Sequence, residues 1–285
     1  MLKFKVPKQQ DLDLDQLIFD RITFGNTQPS PKDDRDYIAQ AKDWSKIKFP
    51  KEYRAPKTEV LNQENYGSCV AHSCATALAQ GEQLISNTHN NYSRGYIYGN
   101  RKSTDLQTEG MIVRQALKQL HNCGDVLYDD FPYNKTYPMV KALIDIDREY
   151  LANKAKQYTI FDFYRCCDEN QLKDAIISSG AVIIVVPVYS DFARDLHKTQ
   201  SWELRGYHAM ALVGWTADKW IVQNSWGLEW GYDGCLLMDM DYPIIESWGI
   251  TVNKELKKSL WYRIKTIFKQ FWNWIKYIWN KIFKK

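Results

Sequence analysis

The segment Gln63-Glu64-Asn65-Tyr66-Gly67-Ser68-Cys69 runs directly into Val70-Ala71-His72-Ser73-Cys74-Ala75-Thr76-Ala77-Leu78. A glycine-serine turn therefore delivers a cysteine onto the first turn of a helix. Unpaired backbone N–H groups and the helix dipole favour negative charge there, which lowers a thiol's pKa and raises the thiolate fraction that does nucleophilic work. Alone, Cys69 also reads as a small buried apolar residue. Four further residues argue for chemistry. Gln63, six positions earlier, can donate its side-chain amide beside the Cys69 backbone N–H and form an oxyanion hole. In Gly206-Tyr207-His208-Ala209-Met210-Ala211-Leu212-Val213-Gly214-Trp215, His208 stands where a loop enters an apolar strand and an imidazole can face a cleft. Asn224 follows another apolar strand, where it can orient the far side of the His208 ring, and Trp226 can shield that hydrogen bond from water.

This constellation resembles the papain family of cysteine peptidases. The Gln-x5-Cys spacing, the His-Ala-x-x-x-Val-Gly-Trp strand and Asn-Ser-Trp-Gly-x-x-Trp-Gly agree in order, with His208 139 positions after Cys69. The resemblance covers about residues 46–253. It implies Cys69 as nucleophile, His208 as base and then acid, Asn224 as orienter and Gln63 as oxyanion donor. It also matches Gly110 to the glycine whose backbone pairs with extended substrate, placing Glu109 and Met111 beside the groove, and it extends to Asp130-Phe131-Pro132-Tyr133. The aromatic that usually follows the nucleophile is Val70, the aromatic two further on is His72, and the cysteine three before the nucleophile is Tyr66. A long inhibitory pro-segment like that of lysosomal members is not expected from the resemblance, and the short arm resembles those of bacterial and phage-type members.

The elements that must position these residues are visible as periodicity. Ser73 to Leu84 and Ile112 to His121 read as helices; Ala181 to Tyr189, Ala209 to Trp215 and Lys219 to Gln223 read as strands. Helices early and strands late give an α+β pattern. The resemblance implies a two-subdomain fold, helical on the left and β-barrel-like on the right, with the active-site cleft between. Residues 1–45 are polar and turn-rich, without a sustained period, and read as an extended N-terminal arm. Residues 46–253 form the peptidase domain. In residues 254–285 the apolar positions Trp261, Ile264, Phe268, Phe271, Ile275, Ile278 and Ile282 recur at three- and four-residue spacing, which predicts a basic, Trp-rich amphipathic C-terminal helix.

Composition bounds the rest. At 285 residues with 45% hydrophobic and 25% charged residues, the chain is an ordinary globular protein, not a collagen-like or low-complexity one. The formal charge of +4 hides an asymmetry: residues 254–285 carry a net +9, leaving −5 for the body. Attraction to an anionic membrane surface therefore falls to residues 258–285, whose aromatic and basic faces suit the water–lipid boundary; a partner helix or the body itself are the other docking partners, and nucleic acid is disfavoured. The N-terminus lacks the apolar run of a secretory signal, so a cytoplasmic location is expected, peripheral to a membrane or in a virion or host cell if phage-encoded. Six cysteines at 69, 74, 123, 166, 167 and 235 show no paired metal-ligand spacing and read as reduced thiols. The reading is a cysteine endopeptidase acting on protein or peptide, with no metal or organic cofactor required. Two alternatives remain: a membrane-active or membrane-anchored phage or bacterial interaction protein, and a thiol amidase or transpeptidase acting on peptidoglycan or isopeptide bonds.

Overall fold

The computed structural model describes residues 2, 4, 8–21, 27–102, 109–197 and 203–253. Among them the helices are α1 (Gln9–Arg21), α2 (Cys69–Ser86), α3 (Arg94–Gly99), α4 (Val113–Asn122), α5 (Tyr137–Ile146), α6 (Arg148–Ala155) and α7 (Glu169–Ser179). The strands are β1 (Tyr53–Arg54), β2 (Ile160–Arg165), β3 (Val182–Tyr189), β4 (Asp195–Leu196), β5 (Leu204–Trp215), β6 (Lys219–Gln223), β7 (Cys235–Asp239) and β8 (Glu246–Val252). Both helices and all three strands expected from periodicity are present; α2 and β5 are longer than expected, and the other three agree within one residue at each end. The expected C-terminal helix lies outside the described residues.

The sheet runs β2-β8-β3-β5-β6-β7-β4, with β1 added against β5. It is a correction to the barrel-like expectation, because β2 and β4 end opposite edges and the sheet is open. Two-residue β4 makes only a short parallel pairing with β7, and the β2 edge is capped by the arm, whose Ile38 bridges Arg165.

Alternation along the central strands divides the core into two clusters. Ile183 and Val185 of β3, with Ala209, Ala211 and Val213 of β5, pack with α2 and its helical neighbours. Val182, Ile184, Val186, Met210 and Leu212 face a second cluster holding α7 and Trp215, Trp220, Trp226 and Trp230. The run Val182–Val188 is continuously apolar because both faces are covered. Helix α2 is built from small residues, so it lies deep between the layers. A Cβ added to Gly81 would come within 2.5 Å of Val252 Cγ2 on β8, which pins α2 against the sheet. Asn87, left-handed at φ 55°, closes the helix by donating its N–H to Gln83 O.

The arm also departs from expectation, since part of it is helical. In α1, Leu12, Leu14 and Leu17 remain exposed while Asp15 and Phe19 are buried, Phe19 in the second cluster. Alternating Asp and Leu in Asp11–Asp15 hides a helical stripe carried by Asp15, Ile18 and Phe19. No described helix is long and apolar enough to cross a membrane.

Candidate active site

Cys69 is the first residue of α2, with Ser68 at the N-cap. The preceding turn is tight: a Cβ on Gly67 would lie 2.8 Å from Glu109 O, so only glycine lets this loop reach the 109 backbone. Cys69 is buried in the same core cluster as Ala209 of β5. Ala209 immediately follows His208 in β5, so this packing brings the histidine's strand to the start of α2. His208 Nε2–H donates to Asn224 Oδ1 at 2.8 Å, and the same oxygen accepts the Ser225 backbone N–H at 2.8 Å. With Nε2 protonated, the neutral ring presents Nδ1 as its acceptor. The indole of Trp226 stacks on the imidazole, with centroids 5.1 Å apart and planes 30° apart, covering the His208–Asn224 bond as expected.

Gln63 is held on both sides of its amide. Its Oε1 accepts the Ser225 hydroxyl at 2.6 Å and its Nε2 donates to Tyr66 O at 3.0 Å, while its backbone N–H donates to Ser225 O at 2.8 Å. The Ser225 contacts tie the loop before α2 to the Asn224 segment of the sheet half, so Gln63 and Asn224 share one bracket. Of the groove residues expected beside the site, Glu109 is exposed, whereas Met111 is buried in the cluster that contains Cys69. The carbonyl of Gly110 accepts Arg101 Nη1 at 2.8 Å, which fixes the glycine backbone from behind.

Sequence reasoning missed what lies on the nucleophile. Thr27 Oγ1 sits 2.9 Å from Cys69 Sγ, and Thr27 is 1% exposed. The arm is fastened on both sides of this contact. Phe19 of α1 packs at 6.2 Å from both Phe192 and Trp226. Asp15 forms a buried ion pair with Arg194 and accepts the Gly231 N–H. Beyond Thr27, Ser30 N–H donates to Glu246 Oε1, and Arg114 Nη2 donates to Pro31 O and pairs with Asp36. Such contacts leave no periodic trace; an acid and an aromatic four apart in a polar stretch were the only signal.

Burial reverses one expectation. The helix terminus was expected to lower the Cys69 pKa, but desolvation is the largest influence and pushes the thiol up despite the hydrogen bonds from Thr27 and the backbone. His208 is pushed down to about 4, again by desolvation, with the Asn224 bond opposing. Both groups are held neutral in this closed arrangement. His72, one turn along α2, bonds Ser68 O through Nδ1 and is likewise pushed down to about 3 by burial. No group of three metal-ligating side chains occurs among the described residues.

A thiol at a helix N-terminus, an imidazole oriented by an amide and a pre-set amide donor, gathered between a helical layer and a sheet, define the cysteine–histidine class of acyl-transfer sites. The model of the family "Papain family cysteine protease" matches residues 38–253, and the chain belongs to that family. The match begins inside the arm, a few residues before the expected boundary at 46. A viral cathepsin of Adoxophyes honmai nucleopolyhedrovirus is 27% identical over 216 residues, 72% of this chain and 58% of that protein. An uncharacterized peptidase C1-like protein of Acanthamoeba polyphaga mimivirus is 28% identical over 206 residues, 66% of each. The chain thus spans less than two thirds of the first of these relatives and about two thirds of the second. Among solved structures, xylellain, a cysteine protease from Xylella fastidiosa, superposes with a TM-score of 0.69 at 21% identity, covering 88% of this chain and all of that one.

Proposed function

We propose that this chain is a cysteine endopeptidase whose N-terminal arm holds it latent. The observation that carries the reading is Thr27 Oγ1 on the Cys69 sulfur, beside a His208–Asn224 pair. A scissile carbonyl must occupy the space the threonine fills.

With the arm withdrawn, water reaches the cleft and the desolvation that opposes both charges falls. The Cys69 proton then passes to His208 Nδ1, and the resulting imidazolium is oriented by Asn224. The thiolate attacks the substrate carbonyl carbon, whose oxygen takes the negative charge and is met by the Cys69 N–H and Gln63 Nε2. The tetrahedral species collapses to a thioester as His208 gives its proton to the leaving amine. Water, deprotonated by His208, then cleaves the thioester, releasing the carboxyl product and restoring the thiol. Gln63 donates one amide hydrogen to Tyr66 O, which leaves its second for the oxyanion. The fold alone does not fix the acyl acceptor, so an amine in place of water would give the transpeptidase alternative.

The test is turnover of a peptide library by the purified chain against Cys69→Ala, with mass-spectrometric mapping of cut sites, including sites in the arm. Cleavage that is lost in the variant while the circular dichroism spectrum is kept supports the reading; equal turnover by the variant refutes it. We further propose that residues 258–285 dock the enzyme on anionic membranes, which liposome flotation with and without that segment tests.

A further inference from the structure

The helical half carries a second concavity, lined by none of the residues placed in the cleft. Its volume is about 350 Å³, within the range of small-molecule sites. Four cationic side chains, Lys102, Lys118, Arg148 and Lys156, line it, and no carboxylate does. They converge from three places in the chain: the end of the α3 segment, the last turns of α4, and α6 with the residue that follows it. The body of the protein is net acidic, so this convergence is not a sample of its average surface.

Ordinary structural causes account for part of the charge. Arg148 is paired with Asp145 outside the pocket, and Lys156 also donates to the Asn153 side chain. Lys102, Lys118 and Lys156 nevertheless have no carboxylate partner among the described residues. Like charges around one concavity repel each other and focus a positive potential into it, an arrangement that an anion relieves.

Two further features point to a ligand. Gln119, 6% exposed, lines the pocket, and its Nε2 has no hydrogen-bond acceptor among the described residues. A buried donor left unpaired is costly, and an acceptor-rich molecule would satisfy it after a small side-chain adjustment. Besides Asn100, Asn122 and Cys123, the wall has an apolar part formed by the ring of Tyr96 with Ile144 and Ala152. An inorganic ion would use the charges and leave this wall wet.

We propose that this pocket binds a small organic phosphate of nucleotide size. Its phosphates meet Lys102, Lys118, Arg148 and Lys156, and its flat or apolar body lies on Tyr96, Ile144 and Ala152. The site is separate from the catalytic reading and stands or falls without it. Helix α4 nonetheless links the two regions, since its first turn carries the Arg114 that grips the arm.

The experiment uses the full chain and titrates ATP, tripolyphosphate and adenosine by calorimetry at low ionic strength. The exposed Cys123 lies in the pocket wall and supplies a local readout: its alkylation rate is followed by mass spectrometry, with exposed Cys167 as the internal reference. ATP is expected to bind more tightly than tripolyphosphate, to slow alkylation of Cys123 but not Cys167, and to weaken at least about tenfold in Lys118→Glu/Lys156→Glu. Lys118→Gln/Lys156→Gln should fall between, and Gln119→Leu should weaken ATP without altering the salt dependence. Absence of ATP binding up to millimolar concentration, unchanged affinity in folded charge variants, or an unmoved Cys123 rate would overturn the proposal. So would binding confined to long polyanions such as an oligonucleotide, which would mark a surface for a polymer.

Discussion

Phe19→Ala is the sharpest perturbation of the closed state. The side chain belongs to the arm, is 7% exposed and packs between Phe192 and Trp226, the indole that covers His208. Truncating a buried Phe to Ala costs about 3–5 kcal/mol, and the lower figure suits a surface-docked helix whose contact can readmit water. Since each 1.4 kcal/mol is tenfold, about 3 kcal/mol raises the population with a withdrawn arm by about 100-fold. Cys69 can be alkylated only when Thr27 has left the sulfur, so its labelling rate reports that population directly. Iodoacetamide labelling followed by peptide mass spectrometry should therefore speed up by about 100-fold at Cys69 while exposed Cys123 keeps its rate. Peptide turnover should rise in parallel. Equal Cys69 labelling in wild type and variant, or wild-type labelling as fast as that of an exposed thiol, would refute the arm as the cover.

Three other outcomes follow from the same contacts. Arg194→Ala strands the Asp15 carboxylate in a buried site, a change worth about 3–5 kcal/mol, so it should also accelerate Cys69 labelling, and Asp15→Ala/Arg194→Ala should recover part of the latency. For pH, His208 sits near 4 when covered against an ordinary 6.5, so the released form binds its proton more readily and the arm loosens as pH falls from about 6.5 towards 4. Asp15, whose carboxyl is raised by burial, acts oppositely, because its proton is held more firmly in the docked form. A fluorine label at Gln16→Cys, in a chain carrying Cys69→Ala with the exposed thiols replaced, should show acid release. His208→Gln should abolish or invert that slope, and an unaltered slope would exclude His208 as its origin. Gln63→Ala should lower kcat by about 10²–10³ through loss of an oxyanion donor, with KM changing far less; steady-state kinetics on the arm-released enzyme checks this.

Two of the candidate catalytic residues were legible because they stand at the border of a strongly patterned element, whereas His208, read as the entry to a strand, lies inside the longer β5. Cys69 opens an Ala-rich helix, and Asn224 follows the short apolar strand Lys219–Gln223. The path of the sheet was less legible, because strand count does not determine closure; that depends on which edges pair, and β4 is only two residues long. Helix α1 escaped because three of its leucines point to solvent and its docking depends on Asp15 and Phe19. The raised Cys69 pKa escaped for the same reason. Local sequence gives the helix terminus that lowers it, whereas the desolvation that wins comes from burial by the tertiary fold and outweighs even the Thr27 hydrogen bond, which acts to lower it.

Because the arm is part of the same chain, its hold on the sulfur is a unimolecular equilibrium, indifferent to how dilute the protein is. A tether of this kind supplies an effective concentration of about millimolar. One cut between α1 and the body would abolish that advantage and let the severed peptide escape by dilution. Reversible concealment would thereby become a one-way release, with the direction set by entropy and the timing set by whichever molecule makes the first cut.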